Sequence, residues 1–364
     1  MTIKQAQNSK DHFPSLPSTI ITGEEISDPI QLCKDPLISV VIITYNQESY
    51  IDDAIKGVVN QKTEFSFELI IGEDSSTDHT RDIVLAYQKK YPQLIRVVIK
   101  HKNSDTSRNF ARTMDRIRGD YFFFCEGDDF WIDANKLQFQ VEAMRRNPQC
   151  DISFHPVNMI KADSREHIGI MGEIYKQDTI LPVSEVLSRG LSFMPSCALC
   201  IKSDFFNCKA NHDFIRKYSF SWMLKFLPSV EGGALYINNI SATYRVCSLG
   251  SWTQRAKENP LIAVRSYQRF SDGFDIANKI TSYRFNDEIE RIKVKLAVGI
   301  LCRRDISVDV RKTILSGYSK KLSLKQRFKI FIMSSSGIRR VVCYYPCKFS
   351  RSIYCKIRLL LAPN

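Results

Sequence analysis

The sequence of 364 residues lacks several features that mark common protein classes. Its eleven cysteines include a single CxxC, at 197–200, with no second one to pair with it, so neither a zinc site nor a disulfide framework is indicated. No stretch reaches the roughly 18 uninterrupted apolar residues that a membrane span needs. The N-terminus also has no apolar segment typical of a secretion signal. Scattered thiols without such a signal predict a reducing, cytoplasmic location.

Acidic residues are absent from position 320 onward, and the whole chain has a formal net charge of +13. In this segment basic residues alternate with aromatic and aliphatic ones, for example over 325–332 and 339–345. Such a pattern predicts peripheral binding to the anionic cytoplasmic face of a membrane. Nucleic acid could use the same charge, and a basic helical cap on the main domain would need no ligand at all. We favour the membrane surface and expect no nucleic-acid partner.

Continuous β-branched and aromatic runs alternate with helical patterns in the first 150 residues. The four predicted strands are 37–43, 67–72, 95–99 and 121–125. This alternation predicts an α/β domain with a mostly parallel sheet flanked by helices. Ligands of such sheets bind outside the carboxyl ends of the strands. The polar segments that follow the strands are therefore expected to meet at one edge. Further along, 193–201 predicts another strand.

Three carboxylates, Glu126, Asp128 and Asp129, follow the fourth strand within four positions. Carboxylates packed so closely repel one another unless a cation lies between them. Oxygen ligands of this kind suit hard cations. We therefore predict a Mg²⁺ or Mn²⁺ site in which phosphate oxygens complete the coordination. An acidic turn without a ligand is the alternative.

Three motifs in this order resemble family 2 glycosyltransferases of the GT-A fold, in the bacterial branch that builds surface polysaccharides. They occupy 40–46, 72–80 and 126–131, the last followed by Asn-Lys-Leu at 135–137. The resemblance extends over roughly residues 36–255. It implies a Rossmann-like sheet, a nucleoside-diphosphate sugar as donor, and a glycan or lipid-linked acceptor. Among the donors a UDP-sugar is favoured, and the reaction is expected to invert the anomeric carbon.

The resemblance also implies roles for individual residues. The positions expected to bind the nucleotide sugar are Thr44, Tyr45, Glu48, Asp74, Arg108, Asn109 and Asp128, with Asp74 accepting a hydrogen bond from the base. The positions expected to hold the metal are Asp128, Asp129 and Glu126.

Three positions depart from the family pattern, one of which is Asp105, where a glycine is usual in the loop after the third strand. Ser221 precedes Trp222 where the family commonly has an aspartate that acts as general base, and Cys247 stands where a histidine is frequent. Asp213 and Glu231 are the candidates for a base. A catalytically lapsed protein that binds a sugar nucleotide, or scaffolds a partner transferase, is the alternative. A nucleotidyltransferase is disfavoured because 44–48 contains no glycine to cradle phosphates.

The same observations predict three segments. Residues 1–36 are a polar, proline-punctuated N-terminal arm that is expected to be loosely packed. Residues 37–255 form the GT-A domain, with a nucleotide-sugar half at 37–150 and an acceptor half at 151–255. Residues 256–364 form a helical C-terminal extension that is basic from 320.

Overall fold

The structure is a computed structural model that describes residues 23–104, 106–204 and 220–333. The chain divides into two compact units. The first takes in the described residues up to Glu258 together with Arg269–Ile289, and the second takes in Asn259–Gln268 and the described residues from Glu290 onward. The predicted sheet and the carboxylate cluster both lie in the first unit.

The first unit contains thirteen described strands in two sheets. Nine strands form a sheet in the order β1-β4-β3-β2-β5-β11-β7-β12-β10, and four form a second sheet in the order β6-β13-β8-β9. The strands are β1 Glu24–Ile26, β2 Ile38–Thr44, β3 Phe67–Glu73, β4 Ile95–Ile99, β5 Tyr121–Glu126, β6 Phe130–Trp131, β7 Ile152–Phe154, β8 Val157–Lys161, β9 His167–Met171, β10 Thr179–Leu181, β11 Cys200–Lys202, β12 Ala234–Tyr236 and β13 Ala242–Val246.

Helices connect most of the parallel strands. The described helices are α1 Ile51–Val59, α2 Thr80–Lys90, α3 Thr106–Met114, α4 Lys136–Arg146, α5 Val183–Arg189, α6 Phe220–Phe226, α7 Trp252–Glu258, α8 Pro260–Ile280, α9 Asn286–Leu301, α10 Val308–Tyr318 and α11 Leu324–Met333. No helix among the described residues is long and apolar enough to cross a membrane.

The centre of the large sheet is parallel, as the sequence predicts. Strand β2 pairs in parallel with β3 on one side and with β5 on the other, and every residue of β2 is buried. A strand buried on both faces requires a continuous apolar run, which the segment Ile38–Thr44 supplies. The chain moves outward from β2 to β4 and then returns to add β5 on the other side. Ligands of such sheets bind outside the carboxyl ends of the strands at this point of reversal, which here are the ends of β2 and β5.

The second half of the sheet is mixed. Strand β11 runs antiparallel to both β5 and β7, whereas β12 is parallel to β7. Strands β7 and β12 therefore run in the same direction as β5. In the small sheet, β13 pairs antiparallel with β6 directly after the carboxylate cluster. This pairing brings the segment after residue 241 back to the cluster.

Two local predictions are wrong. Within the arm that was expected to be loosely packed, Glu24–Ile26 forms strand β1, which pairs antiparallel with β4 at the sheet edge. The predicted strand over 193–201 is instead two 3₁₀ turns, Leu191–Phe193 and Ser196–Ala198, with only Cys200–Lys202 as strand. Pro195 fixes the backbone between the two turns and removes an amide donor, so the apolar run packs without joining the ladder.

A buried carboxylate ties the amino ends of the parallel strands together. Glu68 on β3 is 0% exposed and accepts hydrogen bonds from Ser39 Oγ at 2.7 Å and from Arg96 Nη1 at 2.9 Å. Arg118 completes the cluster, with its Nη2 2.6 Å from Glu68 Oε2. A buried charge is tolerated when it is paired and hydrogen-bonded in this way. The cluster thus holds β2, β3 and β4 in register.

The second unit contains a structural repeat of sixteen residues that sequence analysis did not detect. Ser307 caps α10 and Ser323 caps α11, each accepting from the backbone amide three residues on at 3.4 and 3.3 Å. Four residues after each serine lies a buried arginine, Arg311 or Arg327, which donates to a carbonyl eight residues earlier. Each arginine therefore satisfies carbonyls left free after the preceding helix.

Candidate nucleotide-sugar site

The turn after β5 lies tightly against the turn after β2. The amide of Gly127 donates to the carbonyl of Ile43 over 3.0 Å. A Cβ atom at Gly127 would lie 2.4 Å from Gln47 Oε1 and 2.9 Å from Thr44 Oγ1. Because real side chains do not approach so closely, only glycine lets the two turns meet here. The first and third motifs of the sequence therefore form one edge.

The three predicted metal ligands lie together at this edge. Asp129 is 1% exposed, and its Oδ1 accepts the backbone N–H of Arg245 at 2.9 Å. The hydroxyl of Ser248 donates to Asp128 Oδ2. Two carboxylate oxygens, Glu126 Oε2 and Asp129 Oδ2, are buried without a hydrogen-bond partner in the part of the chain that the structure describes.

The pKa values of all three carboxyls are raised, because the groups are buried close to one another. Burial, followed by repulsion from Asp128, raises the pKa of Glu126, whereas Lys225 and a hydrogen bond from Ser196 act in the opposite direction. Burial raises the pKa of Asp128 as well, and the Ser248 hydrogen bond lowers it. The pKa of Asp129 lies well above its ordinary value because of burial and repulsion from the other two carboxyls. A nearby positive charge would lower all three.

The carboxylate oxygens of this cluster are suitable ligands for a hard cation. Oxygen atoms without a partner, on carboxylates that repel one another, are what a divalent cation would satisfy. Within the described ranges, however, no three His, Cys, Asp or Glu side chains already converge as a complete metal site. The protein would therefore supply part of the coordination, and oxygen atoms of a bound ligand would supply the rest.

Arg245 is buried and bonds to residues of the carboxylate cluster. It is 3% exposed, its Nη1 donates to the carbonyl of Asp128 at 2.7 Å, and its Nη2 pairs with Asp53. Its guanidinium carbon lies 4.4 Å from the ring centroid of Phe130. Through these bonds Arg245 holds the turn that carries Asp128 in position.

Asp74 occupies the carboxyl end of β3 and is 2% exposed. Its Oδ1 lies 3.0 Å from Arg112 Nη2 and accepts from Ser104 Oγ at 2.7 Å, and its Oδ2 accepts the Ser104 amide at 3.0 Å. The predicted donor residue Asn109 is also buried, and its Nδ2 donates to the carbonyl of Gly72 at 2.8 Å. Asp74 is thus oriented by its neighbours, and Asn109 bridges the adjoining strand ends.

The remaining predicted donor residues surround this edge. Thr44 is buried, and its Oγ1 donates to Gln47 Oε1 at 2.8 Å. The ring of Tyr45 is 40% exposed, which leaves a face open to a ligand. Glu48 Oε2 accepts the amide of His79 at 2.9 Å, at the start of α2. Arg108 is exposed on α3, the helix that also carries Asn109.

Glu231, one of the two candidates for a base, is not part of this edge. Glu231 is exposed, lies before β12, and pairs with Arg284 at 3.4 Å. Because β12 runs in the same direction as β5, its amino end faces the opposite edge of the sheet. Asp213 lies outside the described residues. So does the side chain of Ser221, although its backbone is in α6.

Sequence analysis missed three residues that shape the cluster: Lys225, Asp53 and Ser248. Burial lowers the pKa of Lys225, while the charge of Glu126 raises it. Its signal was a single lysine in the apolar helix α6, whose sequence is FSWMLKF. Asp53 accepts from both Arg245 and Arg165. Neither Asp53 nor Ser248 could be recognised, because each is far from residue 128 in sequence.

The fold and this edge together define the class of the protein. A mixed sheet with a parallel centre, flanked by helices and ending in a carboxylate cluster at the point where strand order reverses, is a GT-A-type α/β fold. Residues 39–205 match the sequence profile described as "Glycosyl transferase family 2". This segment of the chain is similar to that family.

Two curated relatives are similar to parts of the chain. An uncharacterized protein of Mycobacterium tuberculosis is 34% identical over 214 residues, which are 59% of this chain and 60% of that protein. The putative teichuronic acid biosynthesis glycosyltransferase TuaG of Bacillus subtilis is 35% identical over 35% of this chain and 49% of its own length. The matches thus span between about half and 60% of these relatives. The solved structure of S. aureus TarS 1-349 with UDP-GlcNAc has a TM-score of 0.49 at 13% identity, covering 84% of this chain and 86% of that one.

Proposed function

We propose that the protein is a glycosyltransferase that moves a sugar from a nucleoside-diphosphate sugar to a glycan or lipid-linked acceptor in surface-polysaccharide synthesis. A UDP-sugar is the favoured donor. The observation that carries the proposal is the cluster of Glu126, Asp128 and Asp129, with two unpartnered oxygens, inside the family segment. We assign the reaction to residues 37–255, with the nucleotide-sugar half at 37–150.

The donor half has a group for each part of a sugar nucleotide. Asp74, oriented by Arg112 and Ser104, would accept a hydrogen bond from the base. The amide of Asp74 donates to the carbonyl of Thr44 at 3.2 Å, and the next residue, Tyr45, is 40% exposed and could contact the same ligand. Asp128, held in place by Ser248, would bind the sugar-nucleotide end with Glu126. Arg108 lies on α3 near this edge and would contact the donor.

The reaction would be a direct displacement with inversion. The acceptor oxygen forms a bond to the anomeric carbon, the bond from that carbon to the diphosphate oxygen breaks with its electron pair, and the hydroxyl proton passes to a base. A bound Mg²⁺ or Mn²⁺ would offset the charge of the departing diphosphate. Asp128, Asp129 and Glu126 would hold that cation. Asp213 remains the candidate base.

A second reading is a catalytically lapsed protein that binds a sugar nucleotide or scaffolds a partner transferase. It is favoured by the exposed thiol of Cys247 and by the position of Glu231 away from the cluster. This reading keeps the donor site and predicts binding without turnover.

Turnover separates the two readings. Wild-type protein supplied with UDP-, GDP- and dTDP-sugars, a lipid-linked acceptor and Mn²⁺ is expected to transfer or slowly hydrolyse one donor. Because the cation offsets leaving-group charge, a chelator should suppress the reaction and added Mn²⁺ should restore it. Nucleoside diphosphate release, measured by chromatography, is the readout. Binding of a donor without release under any condition would support the lapsed protein instead.

We also propose that the C-terminal region places the enzyme on the cytoplasmic face of a membrane. Helix α11 begins at Leu324, which is 62% exposed beside the exposed Lys325. Basic and apolar residues without acidic ones continue to the end of the sequence. Basic side chains near an anionic surface contribute about 1 kcal/mol each.

Vesicle flotation tests this placement. Full-length protein is expected to float with phosphatidylglycerol vesicles and to stay behind with phosphatidylcholine vesicles. Deletion of residues 334–364 leaves the described helices in place and should abolish flotation. The proposal fails if the full-length protein ignores anionic vesicles or if the truncated protein floats equally well.

A further inference from the structure

Lys225 is a buried cation in an apolar setting. It lies on α6 and is 5% exposed, and its neighbours Leu224 and Phe226 are 0% exposed. Removing an ammonium group from water is unfavourable unless an opposite charge compensates for it. A lysine in this position therefore needs a partner.

The charge that acts on Lys225 comes from the carboxylate cluster. Among the described residues, Glu126 is the carboxylate that raises its pKa, and Lys225 in turn lowers the pKa of Glu126. Nevertheless, Glu126 Oε2 is buried without any hydrogen-bond partner in the described part of the chain. The ammonium thus faces the cluster without bonding to this oxygen.

Other buried cations near this edge already have side-chain partners: Lys136 bonds to Gln140 and His155, and two arginines pair with carboxylates. Arg112 pairs with Asp74, and Arg245 pairs with Asp53. Cys247 follows β13 at the position where a histidine is frequent in the family. It is an exposed thiol with φ +63° and adds no cation. Lys225 is therefore the buried cation that faces the cluster from the acceptor half.

The position of α6 agrees with contact to the donor. This helix packs against α3, which carries the predicted donor residues Arg108 and Asn109, and the charge of Lys225 interacts with that of Glu126 at the end of β5. A ligand whose phosphates lie at the carboxylate cluster would therefore come between the carboxylates and the ammonium. Phosphate oxygens are strong acceptors for such a group.

We propose that Lys225 binds the leaving diphosphate of the sugar nucleotide, donating a hydrogen bond to an oxygen of its distal phosphate. This inference rests on the proposed function and adds a binding residue to it. Lys225 would contribute a fixed positive charge on the side of the cluster that faces the acceptor. A nucleoside monophosphate lacks the distal phosphate and would not use this contact.

Paired ligands test the assignment. Calorimetry measures the affinity of UDP and UMP, GDP and GMP, and dTDP and dTMP, with Mn²⁺, for wild type and Lys225→Met. We expect Lys225→Met to lower affinity for the preferred diphosphate roughly 10- to 100-fold, the value of one hydrogen bond to a charged group. Affinity for the matching monophosphate should stay within about twofold. Lys225→Arg keeps the charge and should retain most of the preference for the diphosphate.

The matched control is Lys202→Met on β11. Lys202 pairs with Asp151 at 3.1 Å and is not part of the site, so its replacement should change neither affinity. If Lys225→Met does not fold, the double variant Glu126→Gln/Lys225→Met removes both buried charges and is compared with Glu126→Gln. An equal loss for both ligands, or no loss for the diphosphate, overturns the assignment. Failure of wild type to bind any diphosphate would instead reject the proposed function, and the assignment with it.

Discussion

Replacement of Asp128 by asparagine is expected to lower sugar transfer by roughly 100- to 1,000-fold, the usual loss when one preorganised electrostatic group is removed from an active site. Asparagine keeps the shape of the side chain and can still accept from Ser248, which donates to Asp128 Oδ2. It lacks the negative charge that would hold a cation against the leaving diphosphate. Initial rates at saturating donor, with thermal unfolding recorded in parallel, measure the effect.

The control for Asp128→Asn is Asp163→Asn. Asp163 is an exposed carboxylate in the turn between β8 and β9, and it accepts only a local amide, that of Ser164, at 2.6 Å. Its replacement removes the same charge from the surface and should leave the rate unchanged. A folded Asp128→Asn variant with wild-type transfer would show that the cluster is an acidic turn without a role in the reaction.

Replacement of Glu68 by alanine is expected to lower the free energy of unfolding by about 3–5 kcal/mol, the range for removing one partner of a buried ion pair. The change leaves Arg96, whose side chain is 8% exposed, with the partly exposed Glu25 as its remaining carboxylate partner, and leaves the hydroxyl of Ser39 without its acceptor. Denaturant unfolding followed by circular dichroism measures the difference.

Glu142→Ala is the matched control for this change. Glu142 lies on α4, its side chain is 44% exposed, and it pairs with Arg146 at 3.7 Å one helical turn away. Exposed pairs of this kind contribute about 0.3–0.5 kcal/mol. Equal effects of the two replacements would mean that the Glu68 cluster does not hold the strands in register.

The parallel centre of the sheet could be predicted because its physical requirement is visible in the sequence. Strands buried on both faces need unbroken apolar runs, and Ile38–Thr44 is buried throughout. The edge strand β9 is different. Ile168 and Ile170 are 41% and 40% exposed, and the segment contains Gly169, so its pattern is weak and no strand was predicted. Edge strands are defined by pairing with a neighbour, which a single sequence does not show.

The candidate site, too, could be predicted from the sequence only in part. The carboxylates could be predicted because three of them follow one strand, and the structure brings Thr44 and Asp128 to the same edge. Arg245 could be noticed but not interpreted, because its partner Asp53 is 192 residues away. The environment of Lys225 depends on the packing of α6 against α3 and could not be inferred from local pattern. Long-range pairing therefore limits what the motifs alone reveal.

Binding of a donor by wild-type protein tests the central claim most directly. Calorimetry with a panel of UDP-, GDP- and dTDP-sugars, each with and without Mn²⁺, is expected to show one preferred nucleotide whose binding requires the metal. The requirement follows from the carboxylate oxygens without partners, Glu126 Oε2 and Asp129 Oδ2. Absence of binding to every donor, by folded protein with Mn²⁺ present, would contradict the assignment of this edge as a nucleotide-sugar site.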